Sequence, residues 1–205
     1  MVAQNQVAIL LSNWTSHVVK DKEFAFKIPS TEDHNAVTDF SKSVLYFYEI
    51  AVSYFSGIIG TGESFIVKLA AIDIGSNSIK LIVVDAAASD SFAVLAREKE
   101  VARLGHETLT KGVLSPEAIE RAITCIQRFK TAAEVRQTEE IVAVATASVR
   151  EAKNSSQFIR QVGKATGIRV DILSGVEEAR LIGLAASRGC ASRNAINMNI
   201  DIGGG

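Results

Sequence analysis

The fold of this chain is decided by the stretch Leu69-Ala-Ala-Ile-Asp73-Ile-Gly-Ser-Asn-Ser78-Ile-Lys-Leu-Ile-Val-Val84. It contains two short apolar runs, separated by a turn at residues 74–78 that is rich in Gly, Ser and Asn. Such a pattern is typical of two β-strands in a hairpin. A polar turn at 85–91 and a third apolar run at 92–99 follow, so the sequence predicts an antiparallel meander of three strands.

Helices and strands alternate after the meander. Residues 101–114 contain two glycines and show little periodicity, and we predict a loop there. Ser115-Pro116-Glu117 is typical of a helix start and predicts a helix to about Glu134. The wholly apolar run 141–145 predicts a strand that is covered on both faces and parallel to the first strand. The remaining predicted elements are a helix at 155–166 that ends at Gly167, a strand at 170–173, a helix from Val176 to about Ser187, and a strand at 196–201.

The predicted order, β-β-β-α-β-α-β-α and one more strand, resembles the α/β ribonuclease H-like fold of the superfamily that contains actin and hexokinase. Members of that superfamily pair two such domains around a phosphate-binding cleft, and a hairpin turn at the front of each domain holds the phosphates. The resemblance implies one mixed-sheet domain at 69–190. It also implies a linker and the first strand of a second domain at 191–205.

Residues 1–68 differ in composition from the rest of the chain. They contain ten of the thirteen aromatic residues and none of the eleven arginines. Two interpretations stay open for this leader: an interaction or regulatory extension, or upstream sequence attached by an early start, which the absence of arginine favours. The apolar stretch 44–59 is interrupted by Glu49 and is shorter than the roughly twenty residues of a bilayer span. We therefore expect no membrane anchor.

Charge and cysteine content exclude several classes of protein. The net charge is −1, from 22 basic and 23 acidic residues, which is not the charge of a protein that binds nucleic acid or an anionic membrane. Cys125 and Cys190 have no Cys or His at metal-ligand spacing, so we interpret both as reduced thiols. The first twenty residues lack the basic region and cleavage site of a signal peptide, which predicts a cytoplasmic protein.

The turn after the first strand is a candidate phosphate site. Gly75 in a hairpin turn permits a positive φ and lets the backbone approach an anion closely. Ser76, Asn77 and Ser78 add hydroxyl, amide and main-chain donors, and such nests bind phosphate without lysine. Asp73 at the end of the strand is suited to hold a hydrated Mg²⁺. An ordinary hairpin turn is the alternative interpretation of the same residues.

The strand–Asp–x–Gly pattern occurs a second time, in Asp201-Ile-Gly203-Gly204-Gly205, 128 residues further along. Three glycines directly after a strand carry an entropic cost, which a close approach of the backbone to a ligand would explain. A flexible chain end is the alternative.

Two further candidates lie between these turns. Arg150 follows the buried strand 141–145, which places it near the carboxyl edge of the sheet, where α/β proteins bind ligands. Its planar guanidinium suits phosphate oxygens. Glu177 and Glu178 open a helix, and an interaction with the helix dipole is the structural alternative for both.

Five segments in order are together similar to the exopolyphosphatase and guanosine pentaphosphate phosphohydrolase family: Ala71–Ser78, Leu114–Ala122, Ala145–Asn154, Leu173–Ile182 and Ile200–Gly205. The resemblance implies Mg²⁺-dependent hydrolysis of terminal phosphoanhydride bonds in polyphosphate or guanosine pentaphosphate, and hence a part in the stringent response. It also implies site residues: Glu178 as the general base rather than Glu177, Arg150 as a phosphate clamp, Gly75–Ser78 and Gly203–Gly205 as phosphate cradles, and Asp73 and Asp201 as Mg²⁺ ligands.

The chain departs from the family pattern in two places. Val176 stands where the family often has a polar residue. In the family the glycines continue into Ser-Thr-Glu and a second domain, so we expect this chain to be an N-terminal piece with little activity alone, and the full-length protein to be a possible homodimer. Two other functions stay open, a catalytically silent module that binds phosphate or alarmones and an acetate- or sugar-kinase-like ATP user.

Overall fold

The computed structural model describes residues 8–11, 66–87, 92–189 and 198–201. Its larger β-sheet is mixed and has five strands. The strands of the described residues are β1 (Ala8–Leu11), β2 (Ile66–Ile74), β3 (Ser78–Ala87), β4 (Phe92–Val101), β5 (Glu140–Ala145), β6 (Val170–Ile172) and β7 (Met198–Asp201). The helices are α1 (Gly105–Lys111), α2 (Pro116–Val135), α3 (Ala147–Arg150), α4 (Ser155–Thr166) and α5 (Gly175–Gly189).

The strand order in the large sheet is β4-β3-β2-β5-β6. β2 pairs antiparallel with β3, and β3 pairs antiparallel with β4, which confirms the predicted meander. β5 lies parallel to β2 on its other side, with Ile72 opposite Ala143, and β6 lies parallel to β5. The predicted parallel strand is therefore confirmed. Separately, β1 and β7 form a two-stranded antiparallel sheet.

β2 is the central strand and is buried on both faces. On one face Ile72 and Ile74 pack in a core with Phe129 of α2 and Phe158 of α4. On the other face Leu69 and Ala71 join a smaller cluster that Leu181 of α5 covers, with Ile82, Val84 and Val144. Complete burial of a side chain such as Ile or Phe contributes about 1.5–3 kcal/mol. Helices on both faces thus fix the position of the carboxyl ends of β2, β5 and β6.

α2 begins, and α4 ends, where the sequence predicts. The Ser115 hydroxyl oxygen accepts a hydrogen bond from the Ala118 N–H at 3.3 Å, and Pro116 occupies the first position of α2. α4 ends at Gly167, which has a left-handed φ of 72° and donates its N–H to the Gly163 carbonyl. A residue with a Cβ is strained in that conformation.

The predicted loop at 101–114 is wrong in part, because α1 occupies residues 105–111. The glycines that suggested a loop flank this helix. Gly105 is its first residue, and Gly112 caps its end with φ 69° and an N–H donated to the Thr108 carbonyl. Burial of Leu104 and Thr108 stabilises the short helix against the rest of the domain.

Asn154 attaches the segment after α1 to the turn between α3 and α4. Its side-chain oxygen accepts from the Leu114 N–H at 2.9 Å, and its amide nitrogen donates to the Leu114 carbonyl at 2.9 Å. The Lys153 N–H donates to the Gly112 carbonyl at 2.9 Å. These bonds satisfy the backbone of an extended segment and fix α3 against it.

Cys125 is a free thiol in the core, and burial raises its pKa to about 11. Cys190, the apolar stretch 44–59 and the glycines 203–205 lie outside the described residues. In the part of the chain that the structure describes, no helix has the length and apolarity to cross a bilayer.

Candidate active site

The turn between β2 and β3 is tight, and Gly75 does not adopt the positive φ that glycine permits. The Gly75 N–H donates to the Ser78 carbonyl at 3.1 Å. A Cβ on Gly75 would lie 3.0 Å from that same oxygen, which is closer than Cβ atoms normally come. Glycine therefore allows the backbone of this turn to close tightly on itself, and it does so without a positive φ.

The backbone of residues 103–105 donates hydrogen bonds to this turn. The Arg103 N–H donates to the Asn77 carbonyl at 2.9 Å, and the Gly105 N–H donates to the Ser76 carbonyl at 2.7 Å. Arg103 takes a positive φ of 52° to make this contact. Both turn carbonyls are engaged with protein donors, so the turn can present its own donors to an anion. Sequence reasoning missed this support, because it is made by backbone groups and only Gly105 marks it.

Arg150 ends α3, directly after β5, and lies at the carboxyl edge of the sheet. Its Nη1 donates to the Leu173 carbonyl at 2.9 Å and to Glu178 Oε2 at 2.8 Å. Its Nε donates to Glu151 Oε1 at 3.1 Å. The ends of β5 and β6 and the start of α5 therefore meet at one guanidinium group.

Arg150 stays protonated although its side chain is partly buried. Burial alone would lower the pKa of Arg150, but the hydrogen bonds that Arg150 donates to Glu178 and Glu151 more than compensate and raise it. The guanidinium is therefore a permanent cation at this edge of the sheet.

Glu178 lies in the first turn of α5, where Ser174 caps the helix. The Ser174 hydroxyl oxygen accepts from the Glu177 N–H at 3.1 Å, and its carbonyl accepts from the Glu178 N–H at 2.9 Å. A carboxylate in this position is also stabilised by the helix dipole. The cap fixes the backbone of Glu178, and the ion pair with Arg150 fixes its side chain.

Glu177 and Glu178 have different partners. Glu177 accepts two hydrogen bonds from Arg180 one helical turn further, at 2.8 Å from Nε and 2.6 Å from Nη2. The hydrogen bond from Arg180 is the main reason that the pKa of Glu177 lies below its ordinary value. Glu177 thus belongs to a surface pair within the helix, whereas Glu178 joins the group around Arg150.

The two predicted metal ligands end separate strands. Asp73 is the penultimate residue of β2 and is half-buried, opposite Lys80 on β3. Asp201 is the last residue of β7. Among the described residues, no three His, Cys, Asp or Glu side chains are grouped so that they could hold a metal ion. A lone carboxylate suits Mg²⁺ only where water and substrate oxygens complete its coordination.

The sequence pattern of the Ppx/GppA phosphatase family matches residues 82–205. The chain belongs to this family. The part that matches the Ppx/GppA pattern includes Arg150 and Glu178 and begins beyond the β2–β3 turn.

Named Ppx/GppA relatives are longer than this chain. Exopolyphosphatase 1 of Mycobacterium leprae is 35% identical over 138 residues, which are 67% of this chain and 41% of that protein. Exopolyphosphatase 1 of Mycobacterium tuberculosis H37Rv is 33% identical over 138 residues, 67% of this chain and 40% of that protein. The chain therefore spans about two fifths of the length of these relatives.

Solved structures of the family share the fold. A Ppx/GppA family member from Aquifex aeolicus has a TM-score of 0.52 at 27% identity, over 54% of this chain and 36% of that chain. An exopolyphosphatase from Cytophaga hutchinsonii has a TM-score of 0.51 at 28% identity, over 53% of this chain and 35% of that chain. Both belong to the ribonuclease H-like, actin-like ATPase fold, and the fold class predicted from the sequence is confirmed.

Proposed function

We propose that this Ppx/GppA chain is part of a hydrolase that removes terminal phosphate from inorganic polyphosphate or guanosine pentaphosphate. The observation that carries the proposal is the pair of Arg150 and Glu178, 2.8 Å apart at the carboxyl edge of the sheet. A fixed cation beside a carboxylate provides the two groups that phosphoanhydride hydrolysis requires, a clamp for phosphate oxygens and a base for water. The mycobacterial relatives are exopolyphosphatases by name, which supports polyphosphate as the substrate.

Arg150 is the phosphate clamp in this proposal. Its Nη1 and Nε make the three hydrogen bonds to the protein, and Nη2 takes part in none of them. Nη2 lies beside Gly175, where even an added Cβ would come no nearer than 3.9 Å. Nη2 is therefore the nitrogen of the guanidinium that is proposed to bind a phosphate oxygen. The anchored guanidinium loses little conformational freedom when it binds an anion.

Glu178 is the general base. Its Oε2 accepts from Arg150, which leaves Oε1 to accept a proton from water. The water oxygen then bonds to the terminal phosphorus while the bridging P–O bond breaks. The electron pair of that bond stays on the bridging oxygen, which belongs to the shortened chain, and the terminal phosphate is released as orthophosphate. Arg150 orients the base and neutralises charge on the equatorial oxygens in the same step.

The two turns and Mg²⁺ complete the proposed site. Gly75–Ser78 and Gly203–Gly205 would cradle phosphate with backbone donors, and Asp73 and Asp201 would hold Mg²⁺ together with water and substrate oxygens. When bound, the ion would neutralise charge on the phosphate oxygens. The oxygen-only donor set of the two carboxylates fits Mg²⁺ better than a softer metal.

The test is made on the full-length hydrolase of which this chain is proposed to be a part. It compares Glu178→Gln with Glu177→Gln in a phosphate-release assay with long-chain polyphosphate and with guanosine pentaphosphate. Removal of a general base is expected to lower kcat by about 10²–10⁴-fold. Glu177→Gln is the matched control, because it removes the neighbouring carboxylate and leaves the Arg150 pair in place. It is expected to retain the activity of the wild-type chain.

The outcomes separate the possible functions. Full phosphate release by Glu178→Gln would exclude Glu178 as the base. Wild-type protein that binds guanosine pentaphosphate in a calorimetric titration and releases no phosphate would favour the alternative of a silent binding module.

A further inference from the structure

Ser148 is a buried polar residue without a partner. It lies in α3, two residues before Arg150, and is 4% exposed. Its hydroxyl oxygen is inaccessible to solvent and makes no hydrogen bond within the described chain. Native proteins rarely leave a buried hydroxyl in this state, and each such group requires an explanation.

The hydroxyl lies next to the β2–β3 turn. A Cβ added to Gly105 would come within 2.8 Å of Ser148 Oγ and 3.1 Å of Ser76 Cβ. The side chains of Ser148 and Ser76 therefore converge on the same face of Gly105. Gly105 in turn donates its N–H to the Ser76 carbonyl. Only a residue without a side chain allows the turn, α1 and α3 to approach one another so closely.

An alanine at position 148 would fill almost the same space without a desolvated hydroxyl. The buried oxygen lowers the stability of the domain as long as it has no partner. The simplest physical reason for a hydroxyl here is a hydrogen bond that forms in another state of the molecule. Ser76 is a polar residue whose side chain lies against the same glycine, Gly105, and it belongs to the turn proposed to bind phosphate.

We propose that Ser148 is a positioning residue whose hydroxyl donates to Ser76 Oγ when phosphate occupies the β2–β3 turn. The Ser76 hydroxyl would then donate its own proton to a phosphate oxygen. Each bond in such a chain polarises and strengthens the next. Ser148 thereby links the turn to the helix that carries Arg150, the second phosphate contact. The inference rests on the proposed function, since it takes this turn as a phosphate site.

The experiment measures binding of linear tripolyphosphate by calorimetry and stability by urea denaturation, on the 205-residue chain. Ser148→Ala is expected to raise the Kd by about five- to tenfold, the usual value of one hydrogen bond. Its urea midpoint is expected to stay equal or to rise, because no bond is lost in the free protein. Ser156→Ala is the matched control, an exposed serine on α4, and is expected to change neither value.

A double-mutant cycle tests the link to Ser76. If Ser148 acts through Ser76, Ser76→Ala alone raises the Kd, and adding Ser148→Ala causes little further loss. If instead the Kd of the double variant rises by the product of the two single effects, the link to Ser76 is overturned. A lowered urea midpoint for Ser148→Ala would also overturn the inference, because it would mean that the hydroxyl already has a partner in the free chain.

The pattern of results distinguishes this inference from the proposed function. Unchanged tripolyphosphate affinity in Ser148→Ala, with affinity lost in Arg150→Ala, refutes the role of Ser148 alone. Wild-type protein that does not bind tripolyphosphate refutes both the phosphate site and the role of Ser148.

Discussion

Two neighbouring carboxylates in the first turn of α5 form ion pairs of different kinds. Glu177 pairs with Arg180 three residues away, and the two side chains are 41% and 52% exposed. Glu178 pairs with Arg150, which is 28 residues earlier in the chain, and these side chains are 26% and 19% exposed. The residue types are the same in both pairs, and only the surroundings differ.

The difference shows how the fold gives two identical side chains different roles. The Glu177–Arg180 pair requires only the geometry of a helix, because residues three apart lie on the same face. The Glu178–Arg150 pair requires β5, α3, β6 and the start of α5 to be in place. Charges that are partly removed from water also interact more strongly than exposed charges. The second pair is thus anchored by tertiary structure, as its proposed role at the phosphate site requires.

The largest difference between the two pairs is expected in the activity of variants that lack the arginine of one pair or the other. Arg150→Ala deletes the proposed clamp and leaves Glu178 without its partner, so we expect phosphate release from tripolyphosphate to fall by about 10²–10³-fold in kcat/KM. Arg180→Ala deletes a surface charge, and its activity is expected to stay within about twofold of wild type.

Far-UV circular dichroism of both variants controls for loss of the fold in this comparison. Losses of similar size in Arg150→Ala and Arg180→Ala would contradict the distinction between the two pairs.

An intermediate effect is expected on stability. A double-mutant cycle with Arg150→Ala and Glu178→Ala, measured by urea denaturation, is expected to give a coupling free energy of about 1–3 kcal/mol. The matched cycle with Glu177→Ala and Arg180→Ala is expected to give about 0.2–1 kcal/mol, which is typical of exposed pairs. Equal coupling energies would show that burial and tertiary anchoring add nothing to the Arg150 pair.

Most of the secondary structure could be predicted from local patterns in the sequence. The apolar run 141–145 marks a strand covered on both faces, and Ser115 and Gly167 mark helix ends by their capping chemistry. α1 could not be predicted, because its seven residues make fewer than two helical turns and leave too short a periodic signal. Its stability comes from tertiary packing.

The place of Arg150 in the fold could be predicted from the sequence, but its partners could not. The position of Arg150 after a buried strand places it at the ligand-binding edge of the sheet. Its contact with Glu178 rather than Glu177 depends on the angle at which α5 leaves β6, which no local pattern encodes. Ser148 and Asn154 were missed for the same reason, since their surroundings are assembled from segments far apart in sequence.

The smallest effect concerns the pH dependence of the exposed pair. The hydrogen bond from Arg180 lowers the pKa of Glu177 below the ordinary value of 4.5. The folded state therefore holds this proton less tightly than the unfolded state, so the pair stabilises the fold above pH 4.5 and its contribution is lost as the pH falls through the lower folded value. Urea denaturation of wild type and Glu177→Gln is expected to differ by a few tenths of a kcal/mol at pH 7 and to converge once the pH has fallen below the lowered folded pKa of Glu177. At that pH the protonated glutamate is as neutral as glutamine. A difference that persisted there would mean that Glu177 stabilises α5 by packing rather than by charge, and the contrast with Glu178 would no longer be electrostatic.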